Sequence, residues 1–372
     1  MMPINKRLKR ELKKNFAKYF FIGLVLFMGI TIISAFFTAT DGIMSTIESQ
    51  QSDCNIEDAN VTLVSQLSDD NISRLHEIGI NDLEDTSYCD VTALDDSDYT
   101  MRVFRVRDSV DKLSLIEGEL PANDKQIVLE SKTASAKDLS VGDEIDVDGK
   151  NYTLSGIVAV VDYNNVLQTV SSGVSNLKTF GLGFVSKQAF DGLDSAKMTI
   201  QYSLTAEDEQ SIDDAYNYLM DEEIAVNILK QSDNPRIKSI SDKTNTLKAE
   251  VTLISVVFVL LMVFIFYAMT SASVEKDSNL IGTFFSMGYT RWEIIQHYVR
   301  LPLIITLIGS VLGMITGSLL FAEPIGKITY STYSLPTFSG KVNLYLIIMC
   351  CVIPLIIQFI INCLLLAKKL KT

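Results

Sequence analysis

The chain has 372 residues, of which 48% are hydrophobic and 21% charged, and its formal net charge is −13. Its mean hydropathy is +0.24, which is high for one soluble domain with this many charges and indicates separate apolar and polar segments. Residues 1–39 contain seven basic residues and one acidic residue, whereas residues 40–249 contain 39 acidic and 17 basic residues. The acidity is confined to one block, so a nucleic-acid binder, which needs a basic surface, is excluded.

Four stretches contain no Asp, Glu, Lys, Arg or His over the width of a bilayer, namely 19–40, 251–274, 301–322 and 342–367. A helix of about 22 residues, at about 1.5 Å per residue, crosses a hydrocarbon core of about 30 Å. The first stretch is longer than the apolar core of a cleavable signal peptide, about 7–15 residues, so we interpret it as an uncleaved anchor. The predicted fold class is an integral membrane α-helical protein with four transmembrane helices.

Basic residues set the predicted orientation. Residues 1–18 carry the seven basic side chains of the N-terminal block, which places the N-terminus in the cytoplasm. Alternation then puts 41–250 and 323–341 outside, and the loop 275–300 and the tail 368–372 inside. The predicted localisation is the cell membrane, multi-pass, with both the N- and C-termini cytoplasmic.

The first 18 residues also have the pattern of an amphipathic helix. Ile4, Leu8, Leu12 and Phe16 recur every four residues, with basic residues between them. This spacing predicts a cytoplasmic helix lying in the membrane interface. A simple basic anchor, the alternative, accounts for the charges but not for the spacing.

Residues 41–250 are long enough to bury a core of their own and are predicted to form an α+β extracytoplasmic domain inserted between the first and second spans. We expect two αβ units that flank a β-rich insert at about 111–197. The first unit is read as a strand at 61–64, a helix from Ser68 to Ile78, and strands at 90–93 and 99–106. The second is read as a strand at 198–204, a helix with a capping box from Thr205 to Asp208, and a strand at 224–229.

Within the insert, Asp148-Gly149 separates two alternating segments and predicts a β-hairpin. The acidic residues here also resemble part of a calcium loop beginning at Glu144. Its twelfth position would be Ser155 instead of the required acid, so the hairpin is favoured. Cys54 and Cys89 both fall in this domain, and a disulfide between them is left open beside the favoured alternative of two free thiols.

Helical stalks are predicted at 41–50 and 237–250. In the second stalk, apolar or small side chains alternate three and four apart and form a seam: Ile237, Ile240, Thr244 and Leu247. In the first stalk, Ile43, Met44 and Ile47 would supply the partner face. The two stalks would carry the domain rigidly on the membrane helices.

The loop 275–300 predicts a helix, a glycine turn and a second helix. Asp277 or Ser278 would cap the first helix, and Gly288 would end it because glycine tolerates the left-handed conformation. Thr290 and Glu293 would form the capping box of the second helix. Such a corner exposes apolar side chains, which either dock on a partner or dip into the lipid interface.

The residues of this loop carry a family resemblance. Ile281-Gly282, followed by the run from Met287 to Ile294, resembles the FtsX/MacB-like (type VII) ABC transporter permease family. The plan of four spans with a large external domain between the first two matches as well, and the segments 116–130 and 141–143 are similar to the external domain of such permeases. Leu280 and Phe285 depart from the family, which has an acidic and a basic residue at these positions.

The resemblance implies that the loop couples to a separate cytoplasmic ABC ATPase dimer. The implied coupling residues are Ile281, Gly282, Phe284, Met287, Gly288, Tyr289, Thr290, Arg291, Glu293 and Ile294. The sequence has no Gly-x-x-x-x-Gly-Lys-Ser/Thr phosphate loop, so no cofactor is expected in this chain, and ATP and Mg would bind to the partner ATPase.

The predicted function is that of a non-catalytic permease subunit that transmits ATP-driven motion to its external domain, for export or extraction of a peptide, lipid-linked or drug-like substrate. The alternatives are a membrane transducer that activates an extracellular partner such as a cell-wall hydrolase, and a sensor or receptor module. Four spans are few for a transporter, so a second permease subunit, identical or related, is expected.

Three further features of the sequence bear on the predicted function and on helix packing. The spans contain no Asp, Glu, Lys, Arg or His, which argues against a proton- or sodium-coupled carrier. His76 and His297 fall on opposite sides of the predicted membrane, so neither a catalytic triad nor a zinc site is expected. Gly309, Gly313 and Gly317 form a stripe of small residues that would let another helix pack closely on the third span.

Overall fold

The computed structural model describes residues 10, 12–94, 96–194, 197–338, 340 and 342–369, and they divide into two compact units. The helical unit contains the described residues up to Ile43, those of Asn245–Ile328, and those from 340 onward. The sheet unit contains Met44–Thr244 and Thr329–Phe338. Of the predicted amphipathic helix 1–18, residues 1–9 and 11 lie outside the described residues, as do residues 370–372 of the predicted tail.

The helices, in chain order, are α1 (Phe16–Asp53), α2 (Asp69–Ile78), α3 (Ser131–Ala136), α4 (Lys187–Asp191), α5 (Glu209–Asp221), α6 (Pro235–Lys276), α7 (Ser278–Ser286), α8 (Arg291–Thr316), α9 (Ala322–Thr329), α10 (Leu344–Ile347) and α11 (Ile353–Lys369). A π-helical turn at Gly317–Phe321 joins α8 to α9, and another at Ile348–Val352 joins α10 to α11. Each pair therefore continues as one long helix.

The strands are β1 (Ala59–Leu63), β2 (Ile80–Asp85), β3 (Tyr88–Ala93), β4 (Asp96–Arg105), β5 (Ser114–Gly118), β6 (Gln126–Glu130), β7 (Glu144–Val147), β8 (Lys150–Ala159), β9 (Phe180–Val185), β10 (Met198–Ala206) and β11 (Ala225–Lys230). They form a mixed sheet in the order β11-β1-β10-β3-β4-β9-β6-β8-β5, with β2 paired to β10 and β7 paired to β3 and β8.

Four helices are long and apolar enough to cross a membrane, judged by length and composition: α1, α6, the continuous helix Arg291–Thr329, and Leu344–Lys368. The four predicted apolar helices and the α+β domain between the first two are thus confirmed. Two boundaries differ from the prediction. The third helix runs on to Thr329, into the loop predicted at 323–341. The fourth helix begins only at Leu344, because the Asn343 side chain caps it by accepting a hydrogen bond from the backbone N–H of Leu346 at 2.8 Å.

The core of the helical unit is apolar and draws on all four long helices. Buried members include Leu26, Ile30, Phe37, Met262, Phe266, Leu301 and Cys350. Large apolar side chains also cover the outside of the same helices, for example Phe21, Leu253, Phe264 and Leu319. Helices that are apolar all round are typical of a membrane span.

The sheet unit is assembled from two similar strand–helix–strand pieces, β1-α2-β2 and β10-α5-β11. Their strands interleave, since β1 lies antiparallel between β10 and β11 and β10 also pairs with β2. Between the pieces, β4 runs parallel to β9 with Thr100 opposite Phe180. The prediction that strands 90–93 and 99–106 belong to the first αβ unit is therefore wrong. β3 pairs with β4 and, at Tyr88 and Cys89, with β10, and β4 pairs with β9 of the insert.

The strand β2 was not predicted from the sequence at all. Its segment, Ile80 to Asp85, is mostly polar, and only Ile80 and Glu84 are buried along it. Because its pairing partner β10 lies more than a hundred residues further along the chain, no local pattern identifies it as a strand.

Two helix starts in the sheet unit test the predicted caps. The Ser68 hydroxyl and the Asn71 side chain form a reciprocal capping box at the start of α2, where the cap was predicted. The capping box predicted from Thr205 to Asp208 is wrong, because Thr205 remains in β10, paired with Asp82, and α5 begins one turn later. Its N-cap is Asp208, which accepts a hydrogen bond from the backbone N–H of Ser211 at 2.8 Å.

The predicted hairpin is confirmed. Val147 pairs with Lys150 across a two-residue turn, and both turn residues have positive φ, +54° for Asp148 and +76° for Gly149. Two positive φ angles define the type I′ turn, which matches the twist of the flanking strands and favours Asp-Gly.

The segment 329–338, between the third and fourth long helices, is part of the sheet unit. The Ser334 hydroxyl accepts a hydrogen bond from the backbone N–H of Val160 at 3.0 Å, and the backbone N–H of Ser334 donates to the Asn164 carbonyl at 2.7 Å. The Asn164 side-chain amide donates to the Ser334 carbonyl at 2.8 Å and to Gln50 Oε1 at 3.0 Å. All four of these residues are buried, so the sheet unit is completed by a second, separate piece of chain.

Candidate functional site

The loop between the second and third long helices forms a sharp corner, defined here as residues 277–294. α6 ends at Lys276, the short helix α7 follows, and α8 starts at Arg291. Gly288 has a φ of +87°, the left-handed conformation expected just past the end of a helix. The glycine stop was therefore predicted correctly.

A capping box opens α8. The Thr290 hydroxyl accepts a hydrogen bond from the backbone N–H of Glu293 at 3.4 Å, and Glu293 Oε2 accepts one from the backbone N–H of Thr290 at 2.9 Å. These two bonds satisfy donors that a helix start otherwise leaves free. The predicted cap is present, and it fixes the direction in which α8 leaves the corner.

One side of the corner packs into a small apolar core of its own. Ile281 and Ile294 are both buried there, together with Val274, Ile295, Tyr298, Val299 and Leu366. Phe284 and Tyr289 pack edge-to-face beside it, with ring centroids 5.6 Å apart. The Tyr298 hydroxyl donates to Asp277 Oδ2 at 2.9 Å, which ties the first residue of the corner to α8. The corner is thus braced at both ends.

The other side of the corner is exposed and apolar. Met287 is 65% exposed, Trp292 53% and Phe285 39%. Of the predicted coupling residues, Gly282, Met287, Gly288, Thr290 and Arg291 lie exposed, whereas Phe284, Tyr289 and Glu293 are half-buried. Ile281 and Ile294 are buried, so their side chains are not part of the exposed side. Trp292 was not among the predicted coupling residues, and no local sequence pattern distinguishes its exposed side chain from that of buried Ile294.

The glycine stripe of α8 lies directly against α1. A Cβ at Gly313 would lie 2.8 Å from the Phe27 carbonyl oxygen and 3.0 Å from the Ile30 Cβ. A Cβ at Gly309 would lie 2.7 Å from a Leu26 methyl carbon, and one at Gly317 would overlap Ser34 and Thr31. The Ser34 hydroxyl donates to the Gly313 carbonyl at 3.3 Å. Only glycine permits this close approach of the two backbones.

Both predicted stalk segments are helical, as parts of α1 and α6. On the seam, Ile237, Ile240 and Thr244 are buried, and Leu247 is half-buried. Below the seam, Lys248 Nζ pairs with Asp41 Oδ1 at 2.6 Å, which links α6 to α1. The other oxygen of Asp41 accepts a hydrogen bond from the Asn343 amide at 2.7 Å.

A cluster of buried charges lies inside the sheet unit and was not predicted. Arg107 Nη1 pairs with Asp162 Oδ1 at 2.6 Å, and Asp111 Oδ1 accepts a hydrogen bond from the backbone N–H of Glu57 at 2.8 Å. Burial, with the charge of Asp162, raises the pKa of Glu57. Burial, with the charge of Glu57, raises the pKa of Asp111 well above its usual range. Three carboxyl groups therefore face one guanidinium.

Neither a disulfide nor a metal centre is found within the described part of the chain. Cys54 and Cys89 are both buried and free, so the disulfide left open by the sequence is not formed. The Cys54 thiol instead lies 3.1 Å from the Ser114 hydroxyl. Burial raises the pKa of both thiols. The described residues contain no group of three or more His, Cys, Asp or Glu side chains placed to hold a metal ion.

Comparisons with known proteins bear on the helical unit. Residues 252–371 match the family described as FtsX-like permease C-terminal. No curated protein matches the sequence. Among solved structures, the chain is similar to the extracellular domain of the noncanonic ABC-type transporter YknZ from Gram-positive bacteria, with 12% identity and a TM-score of 0.30, over 45% of this chain and 100% of that chain. A TM-score of this size does not establish a shared fold.

The family match does confirm the resemblance predicted from the sequence, over the range 252–371 that contains the corner and its flanking helices: this part of the chain is similar to the C-terminal domain of the FtsX-like permeases.

Proposed function

We propose that this chain is the non-catalytic permease subunit of an ABC transporter complex, and that its corner docks on a cytoplasmic ATPase dimer. The observation that carries the proposal is the two-sided construction of the corner. Its inner side is packed and braced, while Phe285, Met287 and Trp292 stand exposed on the outer side. An apolar surface on a rigid support is suited to a protein partner.

The charge pattern supports the orientation that this docking needs. The basic segment before α1 and the positive-inside tendency support an orientation with the N-terminus, the corner and the C-terminus in the cytoplasm. The sheet unit then lies outside the cell. ATP and Mg bind to the partner, because this sequence contains no phosphate-binding loop.

The long helix α6 supports mechanical coupling. It runs without interruption from Pro235 to Lys276, so its two ends lie next to the seam and next to the corner. Movement of the corner by the ATPase dimer would be carried along this helix to the external domain. We propose that a second permease subunit, identical or related, completes the complex, and that the motion drives export or extraction of a peptide, lipid-linked or drug-like substrate. Activation of an external partner remains the alternative for an external domain moved in this way.

Co-purification of the ATPase with variants of the corner tests the docking proposal. The double variant F285D/M287D places two charges on the exposed side without touching the buried core. We therefore expect the co-expressed ABC ATPase to co-purify at least about tenfold less. A tenfold loss corresponds to about 1.4 kcal/mol of interface energy. ATP hydrolysis by the purified complex should fall with it. Asn279→Asp, at an exposed polar position on the same helix, is the matched control and should leave both unchanged.

Full retention of the ATPase by F285D/M287D, with melting unchanged, would overturn the docking proposal. The chain would then be an anchored outer domain whose corner rests in the lipid interface.

A further inference from the structure

A basic groove lies beside the corner in the helical unit. Its cations are Arg10, Lys14 and Lys18 from the N-terminal segment and Lys276 from the end of α6. Ser273, Asn15 and Asp277 add polar groups, and Ala272, Leu280 and Phe284 add apolar surface. The groove is separate from the exposed side of the corner, since Met287 and Trp292 do not line it.

The charges of this groove are brought together by both sequence and fold. Arg10, Lys14 and Lys18 follow one another at intervals of four, which is the spacing of one helix face. The Lys18 ammonium donates to the Ser273 hydroxyl at 3.4 Å and so joins the N-terminal segment to α6. Among the described residues, four cations and one carboxylate, that of Asp277, therefore line this concave surface, and Asp277 Oδ2 accepts the hydrogen bond of Tyr298. The groove thus has an excess of positive charge to offer an anion.

The apolar surroundings indicate what kind of anion fits. Phe21 is exposed on the first turns of α1 and follows Lys18 by three residues, which puts it on the same helix face, and Leu280 and Phe284 line the groove itself. The apolar run that begins at Tyr19 starts where the basic segment ends, so the groove falls at the level of the lipid head groups if α1 crosses the bilayer. A free phosphate ion would use only the cations, whereas an amphiphile would also contact the apolar side chains of Leu280 and Phe284 in the groove.

We propose that the basic groove binds the phosphate head group of an anionic phospholipid, with its acyl chains along the apolar groove residues Leu280 and Phe284 and along Phe21 of α1. The proposal rests on the membrane insertion proposed above, but not on the ATPase. Its function would be to fix the N-terminal segment and the end of α6 to one leaflet, and so to place the corner at a constant depth. Anionic lipids concentrate on the cytoplasmic surface, which is the side on which the proposed orientation puts the groove.

The test is lipid retention by the full chain, purified in a neutral detergent and measured by native mass spectrometry with phosphatidylglycerol or phosphatidylcholine. We expect phosphatidylglycerol to be retained in preference, and Lys14→Gln, Lys18→Gln and Lys276→Gln each to lower its affinity about fivefold. Lys13→Gln is the matched control, because Lys13 is exposed one residue from Lys14 but does not line the groove. This variant should bind the lipid as the unchanged chain does.

Three outcomes would overturn the proposal. Equal losses in the Lys13 and Lys14 variants would show diffuse attraction without a site. Displacement of phosphatidylglycerol by millimolar inorganic phosphate would show a site for the free ion. Unchanged phosphatidylglycerol binding by a variant that combines Lys14→Gln, Lys18→Gln and Lys276→Gln, together with loss of the co-expressed ATPase on co-purification, would show that the groove contacts an acidic protein segment. The last result leaves the proposed permease function intact, whereas failure of F285D/M287D to release the ATPase leaves the lipid site intact.

Discussion

Asp111 shows how much charge the sheet unit buries. Its backbone is left-handed, with a φ of +53°, and its side chain is fully buried near Glu57, Asp162 and Arg107. Its Oδ2 atom accepts no hydrogen bond from any described residue. The raised pKa values of Asp111 and Glu57 mean that folding favours their protonated forms. The stabilisation from that protonation is complete below the ordinary carboxyl pKa, about 4, and is lost as the pH rises through the raised folded-state values.

Asp111→Asn should therefore stabilise the sheet unit at pH 8 by about 1–3 kcal/mol and change little at pH 4, because the amide mimics the protonated acid. Asparagine also tolerates the left-handed backbone. The measurement is calorimetric unfolding of the full chain in detergent at both pH values. Asp138→Asn is the control, since Asp138 has a φ of +54° but is exposed, and it should show no pH-dependent gain. An equal effect of both variants would mean that backbone preference, and not buried charge, explains the change.

At the scale of single elements, α8 packs closely against α1. Three glycines spaced four apart let the two backbones meet, and Ser34 adds a hydrogen bond across the contact. In the proposed membrane setting, lipid offers no hydrophobic drive for helix association, and such close packing and hydrogen bonding would hold the helices together.

Gly313→Ala should destabilise the helical unit by about 1–3 kcal/mol, because the new methyl group would overlap the Phe27 carbonyl and Ile30. The same change at Gly282 in α7 meets nothing within 4 Å and should stabilise its helix by about 0.5–1 kcal/mol through helix propensity. Melting of the two variants in detergent, with the chain alone, gives the comparison. Destabilisation of the same size at both positions would rule out the contact as the cause.

How far the sequence predicts each element depends on the range of the interactions that form it. The Thr290–Glu293 cap, the Gly288 stop and the Asp148-Gly149 turn depend on residues within four positions of each other, and all three were predicted correctly. The cap at Thr205 was wrong because pairing with the distant Asp82 keeps that residue in a strand. In the candidate site, the local pattern gave the corner itself, but only its three-dimensional packing separates buried Ile281 and Ile294 from exposed Trp292.

At the scale of the whole molecule, the chain passes between the helical and sheet units four times, near residues 43, 244, 328 and 338. The sequence predicts only the first two of these passages as boundaries of the external domain, because its pattern at 323–341 indicates only a short loop. Nothing local marks Ser334 as a buried partner of Asn164, since both are common turn residues. All four long helices are thus linked directly to the sheet unit.

A fragment of residues 44–244 made alone should be less stable than the same unit in the full chain. Without the segment 329–338, the Val160 N–H and the Asn164 amide lose buried hydrogen bonds, and each unpaired group costs about 1–3 kcal/mol. A synthetic peptide of residues 329–338 should bind the fragment and raise its melting temperature, and a peptide with Ser334→Ala should do so less. Equal melting with and without the peptide would show that the segment adds nothing to the unit.

The bipartite make-up of the sheet unit has a practical consequence for protein engineering. If residues 44–244 alone were fused to another membrane anchor, the unit would lack the segment 329–338, whose Ser334 hydrogen-bonds Asn164. A functional fusion needs both 44–244 and 329–338. The acceptor protein must therefore offer two insertion points, or the segment 329–338 must be co-expressed as a peptide.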